Sequence, residues 1–363
     1  MCELEALDLD KSGASFLRGR HKLNRNACSK FGEISYIYLE NMDKWGLLMD
    51  KEEEILRLFS LEIREVLRKL SLEYEYLQEI RLRAGKPLLI YYKNQEYFVD
   101  RSGKIERKTD KPYVIMEKEI RETMEYISNF SMYAFEEELR QGFITVRGGH
   151  RVGVAGKVVL EKEKVKTLKH ICFLNIRFAH ERKGCADRIM EYLWKEDGQI
   201  YHTLILSPPG CGKTTLLRDV IRQLSTGGKG RKGKTVGLVD ERSEIAACYM
   251  GVPQNDVGIR TDILDCCPKA EGMIMLIRSM SPEVVAVDEI GSDADVDALE
   301  KAVYCGCQLV GTVHGGNLEE IMDKPAMKQI LEKGIFKRFV ILKRGEKVGE
   351  LDGIYDEKGR RLL

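Results

Sequence analysis

At 363 residues the chain is long enough for two domains and a sizeable core. Its 59 Lys+Arg and 58 Asp+Glu nearly cancel, which excludes a global pull toward nucleic acid or anionic lipid and leaves open only a local basic face. No apolar run approaches the roughly 20 residues that span a bilayer, and Met1-Cys-Glu-Leu-Glu-Ala lacks the basic-then-apolar order of a secretory signal, so a soluble, intracellular protein is expected.

In chain order, residues 1–48 carry little helical or strand periodicity, apart from a short apolar patch at Ile34–Leu39. They read as a disordered arm, or as an extension upstream of a start at Met49. From Asp50, the apolar positions Ile55, Leu58, Phe59, Ile63, Val66, Leu67 and Leu70 recur at helical spacing. Strands are predicted at Glu79–Arg83, Pro87–Tyr92 and Glu96–Val99, with turns at Gly85 and Lys93-Asn94. Helical spacing returns over 117–140, where Ile120, Met124 and Ile127 stack. Phe143–Val146, Arg151–Ala155 and Phe173–Phe178 read as further strands, around a glycine turn at Gly148-Gly149. Residues 49–197 are therefore expected to form an α+β domain.

Residues 198–363 alternate strands with helices. The apolar runs Thr203–Leu206, Thr235–Val239, Val284–Val287, Leu309–Val313 and Phe339–Leu342 are separated by helical segments, the order of a parallel sheet with crossover helices. Thr226–Lys234, rich in glycine and lysine, reads as a solvated basic loop. The ten cysteines show no C-x₂-C pairing at Cys266-Cys267 or at Cys305 and Cys307, and buried reduced thiols are the reading adopted.

Chemistry concentrates where these strands end. Thr203–Ser207 runs into Pro208, Pro209, Gly210, Cys211, Gly212, Lys213, Thr214 and Thr215, and then into an amphipathic helix. That is the pattern of a phosphate-binding loop. Backbone N–H groups around Gly210 to Gly212 and the helix amino terminus surround phosphate oxygens, Lys213 reaches the β- and γ-phosphates, and Thr214 offers a hydroxyl to Mg²⁺. Ser207 stands where the G-x-x-x-x-G-K-[ST] pattern has its first glycine. Val284–Val287 ends in Asp288-Glu289: Asp288 would hold Mg²⁺ and Glu289 would polarise the attacking water. Asp240 and Glu241 end another strand, and Thr312 and His314 a third, with His314 a candidate γ-phosphate sensor. Charge neutralisation also asks for arginine. Arg278, Arg260, Arg140, Arg147, Arg151 and Arg177 are the candidates.

Taken together, these strand ends resemble the secretion ATPase superfamily, the ring-forming motors of type II and type IV secretion and pilus systems. Its phosphate loop, acidic box, second acidic strand and histidine box match Ser207–Thr214, Asp240–Glu244, Asp288–Glu289 and Gly311–His314 in order. Arg278-Ser-Met-Ser-Pro-Glu is similar to the family's Arg-x-x-x-Pro-Asp lead into the catalytic glutamate. Two departures stand out: Asp288-Glu289 replaces Gly-Glu, and Gly306-Cys307 replaces the Gly-His that often opens the histidine box, leaving only His314 for a histidine role. Which of Asp240 and Glu241 aligns with the acidic box stays open.

The resemblance implies an α/β fold, with a RecA-like P-loop NTPase core on a parallel sheet preceded by the smaller α+β domain. It further implies ATP and Mg²⁺ as ligands, Glu289, Glu241, His314 and Arg278 as catalytic residues, and a homo-oligomeric ring, a hexamer. Segments Ser131–Gly156, Leu174–Arg177 and Lys183–Asp187 are similar to a sporulation branch of that superfamily. That branch implies a cytoplasmic ATPase peripheral to the membrane, docked on membrane-embedded partners of a sporulation channel. A RecA-like nucleic-acid-binding or translocating ATPase is the alternative. The balanced charge and the lack of an aromatic-interleaved basic strand weigh against it.

Overall fold

In the computed structural model, which describes residues 51–131, 135–228, 230–345 and 349–363, apolar periodicity becomes two sheets, each with its own covering helices. The expectations for residues 1–48 lie outside the described residues. Of the unit Met1–Glu54, the described part is the start of helix α1 (Lys51–Leu56); the remaining description concerns Ile55–Leu363.

Helix α2 (Leu61–Leu67) buries Ile63, Val66 and Leu67, the i, i+3, i+4 face expected of it. Seven strands follow: β1 (Leu77–Arg83), β2 (Leu89–Tyr92), β3 (Gln95–Val99), β4 (Ile105–Glu106), β5 (Phe143–Thr145), β6 (Arg151–Glu161) and β7 (Lys164–Arg177). They pair antiparallel in the order β4-β3-β2-β1-β7-β6-β5. The buried face of this sheet, including Ile80, Leu82, Val152 and Ile176, packs with Phe59 and Ile63 and with Ile120 and Met124 of α3 (Glu117–Ile127). Phe59 is fully buried in this core. Phe59→Ala is expected to cost about 3–5 kcal/mol, seen as a lower urea midpoint at unchanged m-value.

Two sequence readings need correction here. The helical stretch 117–140 is two helices, because Asn129 (φ 46°) and Phe130 (φ 60°) enter left-handed backbone after α3; α4 (Glu136–Gln141) then ends at Gly142 (φ 83°). β6 and β7 extend well beyond the short strands expected and form one hairpin, whose turn residues Lys162 (φ 49°) and Glu163 (φ 64°) are both left-handed. Hairpin turns of this hand usually advertise themselves with Asn-Gly, and the lysine-rich flanks hid this one.

The second sheet contains β8 (Thr203–Ser207), β11 (Val236–Asp240), β12 (Thr261–Asp265), β13 (Val284–Val287), β14 (Gln308–His314), β15 (Arg338–Leu342) and β16 (Leu351–Asp356). Its order is β12-β11-β13-β14-β8-β15-β16, parallel throughout except for β16 against β15. Between β8 and β11 lie α6 (Lys213–Thr226) and a separate two-stranded ribbon, β9 (Gly227–Gly228) with β10 (Arg231–Lys232), where a loop was expected; α5 (Met190–Leu193) precedes β8. The later helices are α7 (Lys269–Met280), α8 (Asp293–Tyr304), α9 (Leu318–Met322) and α10 (Pro325–Glu332).

Successive strand residues point to opposite faces. Ile205, Leu238, Ala286 and Val310 therefore pack with Leu217, Val220 and Ile221 of α6 on one side. On the other, Leu204, Val239, Val285 and Leu309 pack with Met273 of α7 and Leu299 of α8. Burial on both faces accounts for the continuous apolar runs. β12 and β16, which sequence reading missed, are peripheral strands of mixed polarity, Thr-Asp-Ile-Leu-Asp and Leu-Asp-Gly-Ile-Tyr-Asp.

Candidate functional site

The candidate site is built on the carboxyl ends of four neighbouring strands, β11, β13, β14 and β8. β8 ends at Ser207, which is fully buried and lies in register with His314 of β14. Ser207 therefore sits in extended strand, where no left-handed backbone calls for glycine. The departure from the glycine pattern falls at a position that tolerates it. Left-handed backbone comes later, at Gly210 (φ 77°) and Gly212 (φ 89°), the two positions of the loop where a Cβ would be strained. Gly212 caps α6, whose first turn carries Lys213, Thr214 and Thr215. Pro208 and Pro209 lead into the turn, and the carbonyl of the buried Cys211 accepts a hydrogen bond from Gly349 N–H at 2.8 Å.

Across the sheet edge, Thr214 Oγ1 donates to Asp288 Oδ2 at 2.7 Å, while Thr312 Oγ1 bonds Asp288 Oδ1. Glu289 follows in left-handed backbone (φ 52°), a conformation costing of order 1–3 kcal/mol for a non-glycine residue. Its N–H is held by Asp288 Oδ1 at 3.0 Å and Thr312 Oγ1 at 2.9 Å. Three groups converge on its carboxylate: His314 Nε2 at 2.9 Å and Lys213 Nζ at 3.5 Å, both on Oε1, and Arg242 at 2.8 Å on Oε2. Lys213 Nζ also lies 3.4 Å from His314 Nε2 and 3.5 Å from Nδ1. Burial pushes the Glu289 carboxyl up, but Lys213, Arg242 and the His314 bond outweigh it, so it sits below the usual carboxylate range. The result is an ionised carboxylate among cations at the edge where ligands of parallel α/β sheets bind.

Other candidates are placed elsewhere. Glu241 is ion-paired with Lys269, the first residue of α7, on the side of β11 away from Glu289's partners Lys213 and His314. Arg278 lies in the last turn of α7, immediately before β13 begins, and so at the amino edge of the sheet rather than the site edge. The other arginines bond within the chain: Arg151 with Glu244 at 2.8 Å, Arg177 with Glu79 at 3.3 Å, Arg140 with the Lys166 carbonyl at 3.1 Å, and Arg260 with the Ser225 carbonyl at the end of α6 at 2.9 Å. Arg147 begins the turn Arg147–Gly149. Arg242 is the member of the cluster that sequence reading did not single out. Its only signal was its place directly after Asp240-Glu241.

Asp240 is structural in its contacts. Its carboxylate accepts the backbone N–H groups of Glu244, Ile245 and Ala246 at 2.8–2.9 Å, folding the chain after β11 back on itself. Burial pushes this carboxyl up to about 6 despite those bonds. The folded state therefore holds a proton that the unfolded chain has released. Between about pH 4 and pH 6, wild-type stability should fall relative to Asp240→Asn, by up to about 3 kcal/mol over the window. Urea unfolding of both proteins at several pH values checks this; a difference constant with pH rules it out.

Beside the loop is a cleft of about 760 Å³, lined by Gly184, Cys185, Arg188, Leu216, Leu342 and Leu351 among others. It adjoins the first turn of α6, since Cys185 Sγ lies 3.6 Å from the Thr215 carbonyl. Among the described residues, no helix is long and apolar enough to cross a membrane.

Comparison with known proteins agrees with the sporulation resemblance. Residues 49–362 match the family described as "Sporulation stage III, protein AA". "Stage III sporulation protein AA" of Bacillus subtilis (strain 168) is 42% identical over 286 residues, covering 79% of this chain and 89% of that protein. Among solved structures, the Legionella pneumophila ATPase DotB is similar at a TM-score of 0.48 and 14% identity, covering 82% of this chain and 77% of that one. The pilus retraction motor PilT with bound ADP is similar at a TM-score of 0.49 and 16% identity, covering 77% and 78%. With the family matched over nearly all of the described residues, the chain belongs to the sporulation stage III protein AA family.

Proposed function

We propose that the chain is an ATP-hydrolysing motor with a RecA-like P-loop core in residues 198–363 and an α+β domain in residues 49–197. The observation that carries this reading is the convergence of Lys213, His314 and Arg242 on Glu289, next to the Thr214–Asp288 pair, at the end of a glycine loop that opens a helix. The loop N–H groups and Lys213 bind the phosphates, and the adjoining cleft is roomy enough for the base. The hard oxygen donors Thr214 Oγ1 and Asp288 suit Mg²⁺, which when bound neutralises charge on the phosphate oxygens.

In this mechanism Glu289 orients water and accepts its proton, and its depressed basicity among cations keeps it ionised. His314 fixes the carboxylate through Oε1. A cytoplasmic hexameric ring, attached to the membrane through partners of a sporulation channel, completes the proposal. The test is phosphate release from ATP by the full chain with and without EDTA, together with its mass with and without Mg-ATP. Magnesium-dependent release and a nucleotide-stabilised ring support the reading; no nucleotide binding at all overturns it.

A further inference from the structure

Arg242 has a place in the site that the hydrolysis mechanism above does not require. Lys213 and His314 both approach Oε1 of Glu289, whereas Arg242 holds Oε2. A base engaged at both oxygens has fewer lone pairs with which to align a water. The Arg242 side chain is 61% exposed against 24% for Glu289, so the bond is an accessible ion pair of small net strength, easily exchanged for a stronger partner.

The backbone around it, by contrast, is fixed. Asp240 gathers the N–H groups of 244–246, and Arg218 of α6 donates to the carbonyls of Glu244 and Ile245, each at 2.6 Å. The turn bearing Arg242 is thus tied to the helix that begins at the phosphate loop. What remains free to move is the guanidinium itself.

We propose that Arg242 is a latch on Glu289 that a nucleotide γ-phosphate releases, making it a positioning residue that distinguishes triphosphate from diphosphate. The inference rests on the proposed function, since it takes the phosphates to lie between Lys213 and Glu289. A terminal phosphate carries more charge than a carboxylate and accepts the planar fork of arginine in two parallel bonds. With triphosphate bound, the guanidinium moves from Glu289 Oε2 to the γ-phosphate and frees the base. With diphosphate the γ-phosphate is missing and the latch stays closed.

The experiment uses the full chain and titrates ADP and the β,γ-imido analogue of ATP against wild type, Arg242→Ala and Arg242→Lys. Arg242→Ala should lose about tenfold or more in affinity for the triphosphate analogue, with ADP affinity unchanged, and Arg242→Lys should recover part of the loss. Equal weakening of both nucleotides, the mark of a structural role, overturns the latch, as does no change in either. If Lys213→Ala binds nucleotide like wild type, the proposed function itself fails. If Lys213 and Glu289 variants behave as that function requires while the triphosphate-to-diphosphate ratio ignores Arg242, only the latch fails.

Discussion

Glu289→Gln should lower steady-state ATP hydrolysis roughly 10²–10⁴-fold, the range for loss of a general base, while nucleotide still binds. The amide keeps the shape of the side chain and one oxygen for His314, but it accepts no proton from water. It also removes the negative charge from between Lys213 and Arg242, which in the parent chain lie 3.5 Å and 2.8 Å from the carboxylate. Two cations without their counter-charge make a better seat for phosphate, so triphosphate affinity should hold or rise. Phosphate release measured beside a fluorescent-nucleotide titration separates the two effects. Turnover near the wild-type rate would show that the base lies elsewhere.

Lys213→Ala is the complementary case, in which binding fails first. The side chain is 94% buried by its surroundings, with only 6% exposed, and its ammonium is aimed at Glu289 and His314. Loss of one charged hydrogen bond costs about 1.5–3 kcal/mol, so nucleotide affinity should fall roughly 10- to 150-fold. The fold should persist, because Glu289 keeps Arg242 and His314 as partners. Calorimetric titration with ADP and with a triphosphate analogue checks the affinity, and circular dichroism checks the fold. Unimpaired binding would dislodge the nucleotide from the Gly210–Thr215 loop.

Legibility in the sequence followed from whether a residue's role is local. The loop from Gly210 to Thr215 and the pair Asp288-Glu289 each follow a buried apolar strand directly, so a linear reading found both the strand and the polar group at its end. Arg242 is not marked in the sequence, because its contact with Glu289 depends on β11 lying beside β13, a pairing of strands separated by a helix and another strand. Glu241 drew notice as an acidic residue at the right place in the chain, yet one residue of rotation takes it to Lys269 and turns Arg242 toward Glu289. Arg278 was drawn in by its closeness in sequence to Glu289, but β13 runs between them and carries the two to opposite edges. The β6–β7 hairpin escaped because outward-facing residues on both strands removed the alternation that marks a half-buried strand.

The position of β14 between β8 and β13 sets a distance that no side chain chooses. Neighbouring strands lie about 4.8 Å apart, so the strand feeding the phosphate loop and the strand feeding Glu289 are separated by roughly 9–10 Å of rigid backbone. A tetrahedral phosphate and one water in line fit such a gap. In the proposed mechanism the sheet would act as a ruler for the nucleophile, and Glu289→Asp, which withdraws the carboxylate by about one carbon–carbon bond, roughly 1.5 Å, opens a space that hydrogen bonding across a fixed ladder does not close.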